Sequence, residues 1–293
     1  MKKVILGILL LSVMSLSAQT VKVEKSYRLL AGFHPVLNAN GNWLAFTSES
    51  YEGLSVYDFS NKSVIKVSDE QGAGFQPVFS EDDKLFYQNT VFKSRLRYDG
   101  LKSFDLKKKS MKEESEPQRN LRPVQKYGKS GKFASLYVWS DGQNLNICRD
   151  EKTEILNPVE NANGYIWASL SPNKQMILFH AVAAGTFVSD LKGNIIASLG
   201  HLSAPVWYDN EFVVGTQSKD DGYNITESKV IMKNLAGSIT KQLSNPDQIA
   251  MHPTASAVAG KVAYNTSEGD IYVLELKTPK SPKGDLVSER PHP

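Results

Sequence analysis

Residues 34–48, HPVLNANGNWLAFTS, decide the reading of the chain. A proline opens a short apolar strand, Asn38 to Asn42 supply a turn, and Trp43, Ala45 and Thr47 alternate along a second strand. The pattern returns as QPVFSEDDKLFYQNT (76–90), ASLSPNKQMILFHA (168–181) and HPTASAVAGKVAYNTS (252–267). The repeated proline is a ruler. Pro35, Pro77, Pro123, Ala168 (in the same place), Pro205 and Pro253 stand 42, 46, 45, 37 and 48 residues apart. A period of about 40–50 residues with four short strands in each unit is the signature of a β-propeller. Turn residues separate the segments, and no helical period runs beyond a turn or two. The sequence therefore predicts an all-β fold: one six-bladed propeller of four-stranded blades.

The last unit stops at Ile271–Leu276 without a fourth strand, while residues 21–29 hold a spare one in which Val21, Val23, Tyr27 and Leu29 suit a half-buried face. Closure of the ring by this N-terminal strand is expected, since it covers an otherwise exposed sheet edge.

The ends read differently. Met1-Lys2-Lys3, an apolar run over residues 4–13, and the small residues Ser15, Ser17 and Ala18 form a signal peptide, residues 1–18. The propeller is assigned to 19–277 and a flexible, proline-rich tail to 278–293. Without residues 1–18 the 34 basic residues become 32, against 31 acidic ones. That balance gives no basic face for nucleic acid. Lys107-Lys108-Lys109 reads as a solvated turn, and the single Cys148 as a buried, inert thiol. A periplasmic or secreted bacterial protein is expected, a monomer with no membrane insertion after leader removal.

The unit around Phe75-Gln76-Pro77-Val78-Phe79-Ser80-Glu81-Asp82-Asp83-Lys84-Leu85-Phe86-Tyr87, together with the Ser171-Pro172-Asn173-Lys174-Gln175 turn, resembles the WD40-like (PD40) repeat of TolB-type propellers. The resemblance spans residues 20 to about 277, with the turn shortened or rewritten in the third unit (125–138) and the fifth (208–216). It implies a stand-alone periplasmic propeller that engages an envelope protein or peptide.

Candidate functional residues are those just before the repeated proline: His34, Gln76, Arg122, Trp167, Ala204 and His252. The first strand of a propeller blade lines the central channel, so equivalent residues at its start form a ring at one mouth. Binding is assigned to His34, Gln76, Arg122, Trp167 and His252, with no catalytic residue and no cofactor. The alternative is a divalent metal held by His34, Gln76 and His252 on three consecutive blades. Oligogalacturonate lyases are similar in placing His and Gln ligands of a metal in the channel, which would make the chain a metal-dependent carbohydrate-active enzyme. The plainer possibility is that His-Pro is a common way to begin a strand, with both imidazoles bonded to nearby backbone. Trp43, Trp139, Trp167 and Trp207 fall at different places in their units and read mostly as packing. There is no Gly-x-Ser-x-Gly elbow, and Asp82-Asp83 and Asp220-Asp221 are turn acids rather than a facing acid-base pair.

Overall fold

The structure, a computed structural model, describes residues 21–80, 82–119 and 135–278. These form six antiparallel sheets and no α-helix, so none of the described residues belongs to a helix long and apolar enough to cross a membrane. Blade 1 comprises Phe33–Leu37, Trp43–Thr47, Leu54–Asp58 and Ser63–Ser68. Blade 2 comprises Val78–Phe79, Lys84–Lys93, Leu96–Asp105 and Ser110–Gln118. Blade 3 shows three strands among the described residues, Leu136–Ser140, Leu145–Arg149 and Lys152–Ile155. Blade 4 is Tyr165–Leu170, Met176–Ala181, Gly185–Asp190 and Ile195–Gly200, and blade 5 is Ser203–Trp207, Phe212–Asp220, Ile225–Asn234 and Thr240–Gln242. Ala250–Ser256, Lys261–Thr266 and Asp270–Lys277 make blade 6, and Lys22–Ala31 is its outermost strand. The six-bladed architecture and its closure by the N-terminal strand agree with the sequence reading. Residues 1–18 and 279–293, assigned above to leader and tail, lie outside the described residues.

The closing strand pairs antiparallel with Asp270–Lys277, from Lys22 opposite Lys277 to Ala31 opposite Asp270. Val21 joins the buried cluster of blades 5 and 6, and Tyr27, Leu29 and Leu30 pack on the cluster that joins blade 6 to blade 1. The ion pairs Lys25–Glu275 (2.9 Å) and Arg28–Asp270 (2.7 Å) lie in water and add little beside this burial.

Apolar residues of neighbouring blades interdigitate around the ring. Ala45, Leu54 and Val56 meet Leu85, Tyr87 and Phe104 between blades 1 and 2. Leu37 and Leu44 meet Ala263, Ile271 and Val273 across the closure. Trp43 and Trp207 pack against these inter-blade clusters, as expected, and Cys148 is buried. Lys107-Lys108-Lys109 is an exposed turn, and Asp220-Asp221 lies exposed at the end of a hairpin. Buried polar groups are matched across blades too: the Leu37 amide donates to Thr254 Oγ1 at 2.9 Å, fully inside the protein. Thr254→Val keeps the shape and strands that donor. The variant is expected to lose about 1–3 kcal/mol of stability in urea denaturation, since an unpaired buried amide carries its full desolvation cost.

Candidate functional site

In four blades the inner strand starts with an irregularity that the sequence did not announce. In blade 1, Phe33 pairs with Thr47 and Val36 with Ala45, so His34 and Pro35 together face one residue, Phe46. The same two-against-one arrangement holds Trp167-Ala168 in blade 4, Ala204-Pro205 in blade 5 and His252-Pro253 in blade 6. This is a β-bulge. Its first residue turns to the left-handed region: φ is 51° at His34, 55° at Trp167, 45° at Ala204 and 49° at His252, and Gln76, just before the inner strand of blade 2, shares it at 49°. The next residue is proline at four of these five positions, which suits a bulge because proline has no N–H to leave unpaired. Left-handed φ is a glycine conformation, and any other residue there is held at a cost of about 1 kcal/mol or more. None of the five positions is glycine. Arg122, the corresponding residue of blade 3, lies outside the described residues.

These five residues converge on one cavity of about 740 Å³ at the channel mouth. The ring foreseen in the sequence therefore forms among the described residues. Tyr51, Phe75, Gln88, Arg97, Asp99 and Trp139 also face it, and none was anticipated as a mouth residue. Trp139, read as packing, stacks on Tyr137 with centroids 5.3 Å apart and lines the mouth instead. These residues come from second and third strands and from loops, whose level at the mouth is set by register and is invisible in a repeat alignment.

His34 and His252 meet across the closure with ring centroids 4.3 Å apart. Tyr51 stacks on His34 at 4.0 Å, and Phe75 meets Tyr51 edge-on at 5.3 Å, so an aromatic row leads from the histidine pair toward Gln76. Asn265, almost fully buried, organises the pair. Its Oδ1 accepts the His34 backbone N–H at 3.1 Å and lies 3.3 Å from His252 Nδ1. A backbone N–H can only donate, so this atom is the oxygen and His252 Nδ1 carries the proton. His34 Nε2 lies 3.2 Å from the Glu49 carbonyl, which only accepts, so Nε2 carries the proton there. The lone pairs fall on His34 Nδ1 and His252 Nε2. Burial pushes both imidazoles below the ordinary histidine value. His252 reaches about 4, with its neighbour His34 as a further cause. Both rings are neutral at physiological pH.

Across the mouth, Trp167 is 39% exposed and meets His180 edge-on at 5.3 Å. Thr186 Oγ1 donates to the Leu202 carbonyl at 2.5 Å and accepts from His180 Nδ1 at 2.9 Å, which fixes the surface beneath the indole. On blade 2, Arg97 pairs with Asp99 at 3.0 Å, and Asp99 accepts from Thr90 at 2.6 Å. The mouth thus joins an aromatic lining to neutral imidazoles and one fixed ion pair.

No protein-family model matches the chain, and a search of the curated proteins finds no match. Solved structures do share the fold. The β-propeller domain of Cps50 (Swd1) from Myceliophteria thermophila is similar with a TM-score of 0.60 at 11% identity, over 87% of this chain and 99% of that one. TolB from Acinetobacter baumannii gives 0.48 at 11% identity, over 82% of this chain and 62% of that one. Oligogalacturonate lyase from Vibrio parahaemolyticus gives 0.46 at 12% identity, over 84% and 79%. At such an identity the Cps50 likeness speaks for the propeller fold alone.

Proposed function

We propose that the chain is a non-catalytic binding propeller of the bacterial envelope, TolB-like in kind, whose channel mouth holds a peptide segment of a protein partner. One observation carries this reading: non-glycine side chains occupy a glycine conformation at equivalent places around a single cavity. Backbone strain of this kind concentrates where a side chain must be presented. The exposed Trp167 and Phe75 at the rim are the residue types that anchor interfaces. The leader-like residues 1–18 support the envelope location.

A photo-crosslinking residue placed at Phe75, with a matched one at Val258 as control, tests the site in the native host. Val258 is 81% exposed in the turn between the first two strands of blade 6, at the opposite end of the blade from His252. A partner captured from position 75 and not from 258, and lost in Trp167→Ala, is expected. The truncation should weaken affinity for that partner by about 2 kcal/mol, as for an aromatic interface anchor. Equal capture from both positions would reject the mouth as the site.

The histidine pair favours a second reading, a metal-dependent carbohydrate-active enzyme. Each imidazole donates one N–H to an oxygen and keeps one lone pair, the arrangement that orients metal-ligating histidines. Gln76 would have to complete the set, because no group of three His, Cys, Asp or Glu suited to a metal exists among the described residues. A bound divalent cation would supply Lewis acidity toward an anionic sugar. Manganese titration followed by calorimetry decides: stoichiometric binding lost in His34→Ala and in His252→Ala would establish the metal, and no heat of binding would remove this reading.

A further inference from the structure

Two blades differ from the rest on the mouth face. In blade 1 the second strand ends at the mouth with Thr47, which pairs with Phe33, and in blade 6 Asn265 pairs with Met251, one residue short of that strand's end. In blade 2 the strand passes the cavity-lining Gln88 and runs on to Lys93 before returning from Leu96. In blade 5 it passes Thr216, paired with Ser203, and runs on to Asp220 before returning from Ile225. At about 3.3 Å per residue, these extensions lift two hairpins roughly 13–16 Å above the mouth. In a ring of six, blades 2 and 5 are diametrically opposed. The hairpins stand on either side of the cavity.

Their chemistry is opposite in sign. Residues 89–99 of the blade 2 hairpin carry Lys93, Arg95 and Arg97 against Asp99 alone. Arg97 is taken by Asp99, and Lys93 lies over the Tyr98 ring at 5.6 Å. Lys93 and Arg95 have no carboxylate partner among the described residues. Residues 217–228 of the blade 5 hairpin carry Asp220, Asp221 and Glu227 against Lys219 alone. Glu227 is taken by Lys219 at 3.1 Å, while Asp220 and Asp221 bond only turn amides. Each tip also exposes apolar surface: Phe92 (58%) and Leu96 (42%) on the basic hairpin, Tyr223 (96%) and Ile225 (39%) on the acidic one.

We infer that the two hairpins are a pair of arms that hold an extended polypeptide across the mouth, one carrying an acidic block at one end, a basic block at the other and apolar residues between. This rests on the mouth-binding reading above and names its ligand. The acidic block faces Lys93 and Arg95, the basic block faces Asp220 and Asp221, and the apolar centre lies over Trp167, Phe75 and Tyr51. Complementary charge fixes the register of such a segment and rejects segments of the wrong sign.

Two fluorescent synthetic peptides of identical composition test this on the full chain. One has its charges in two opposite blocks around a Phe-Leu-Trp centre, and the other has them alternating. The block peptide should bind about tenfold more tightly at low salt, and the advantage should shrink at high salt as exposed charges are screened. Lys93→Glu/Arg95→Glu makes both arms acidic at exposed positions. It should abolish the preference and make a peptide basic at both ends the tightest ligand. Equal binding of block and alternating peptides overturns the arms. If that equal binding is still lost in Trp167→Ala, the mouth reading stands without them, whereas no binding of any peptide removes both. Sedimentation adds one more arm: a mouth-to-mouth dimer that separates in Lys93→Glu/Arg95→Glu would assign the hairpins to a second copy of this chain and overturn the peptide assignment.

Discussion

Truncating the chain to start at Gly32 is expected to remove most of its folding stability, and a synthetic peptide of residues 21–31 added in trans is expected to restore it. The strand Lys22–Ala31 is the fourth strand of blade 6, and with it go Val21, Val23, Tyr27, Leu29 and Leu30 from two core clusters. Five apolar side chains, partly to fully buried, are worth on the order of 5 kcal/mol by area. That is comparable with the whole net stability of an ordinary domain, roughly 5–15 kcal/mol. The loss also bares the edge of Asp270–Lys277 to pairing with other chains, so aggregation should accompany it. Rescue by the peptide would show that strand addition is the cause. The peptide with Tyr27→Asp and Leu29→Asp should fail to rescue. An unchanged midpoint in the truncated chain would mean that blade 6 holds the ring shut with three strands.

Acidification is the second large effect. An ordinary histidine titrates near 6.5, and His252 in the fold near 4. Between these values the unfolded chain takes up a proton that the native chain refuses. The unfolded state binds more protons there, so stability rises with pH through the window. Read downward, the fold keeps its full stability above pH 6.5, loses it progressively toward pH 4, and loses no more to this residue below that. The gap corresponds to about 3 kcal/mol. His34 and His180 are shifted in the same direction by burial and add to the slope. The carboxylates held low by hydrogen bonds, Asp58 and Asp141 among them, act only at still lower pH. Urea midpoints followed across this window should fall in the native chain and flatten in His252→Gln, whose amide can still donate to Asn265. A native chain equally stable at both ends of the window would contradict the burial of this imidazole.

Much of the fold was legible because a propeller repeats a local pattern. Proline spacing, the apolar alternation of residues 43–47 and the missing last strand each needed only near neighbours to be read. The equivalence of His34, Gln76, Trp167, Ala204 and His252 followed from the same ruler. The contact of His34 with His252 is different. It joins residues 218 positions apart in sequence and exists only because the ring closes. Asn265 is hidden for the same reason: its partner is the backbone of another blade. The bulge was concealed because His-Pro reads equally as a plain strand start. The hairpin arms had left a trace, since the intervals of 46 and 48 residues that begin at Pro77 and Pro205 are the two longest, and those blades carry the extensions. Arg122 remains a sequence expectation alone.

The bulge also has a meaning for engineering and descent. In blades 1, 4, 5 and 6 it lifts one side chain out of the pleat, and the proline behind it in three of them needs no hydrogen-bond partner. What stands at that position is therefore set apart from the interlocking apolar residues between blades, except where His34 and His252 meet across the closure and share Asn265. Away from the histidine pair the channel mouth behaves as a row of interchangeable letters on a fixed press: a combinatorial library restricted to Gln76, Trp167 and Ala204 could rewrite what the protein recognises while the printing frame stays whole.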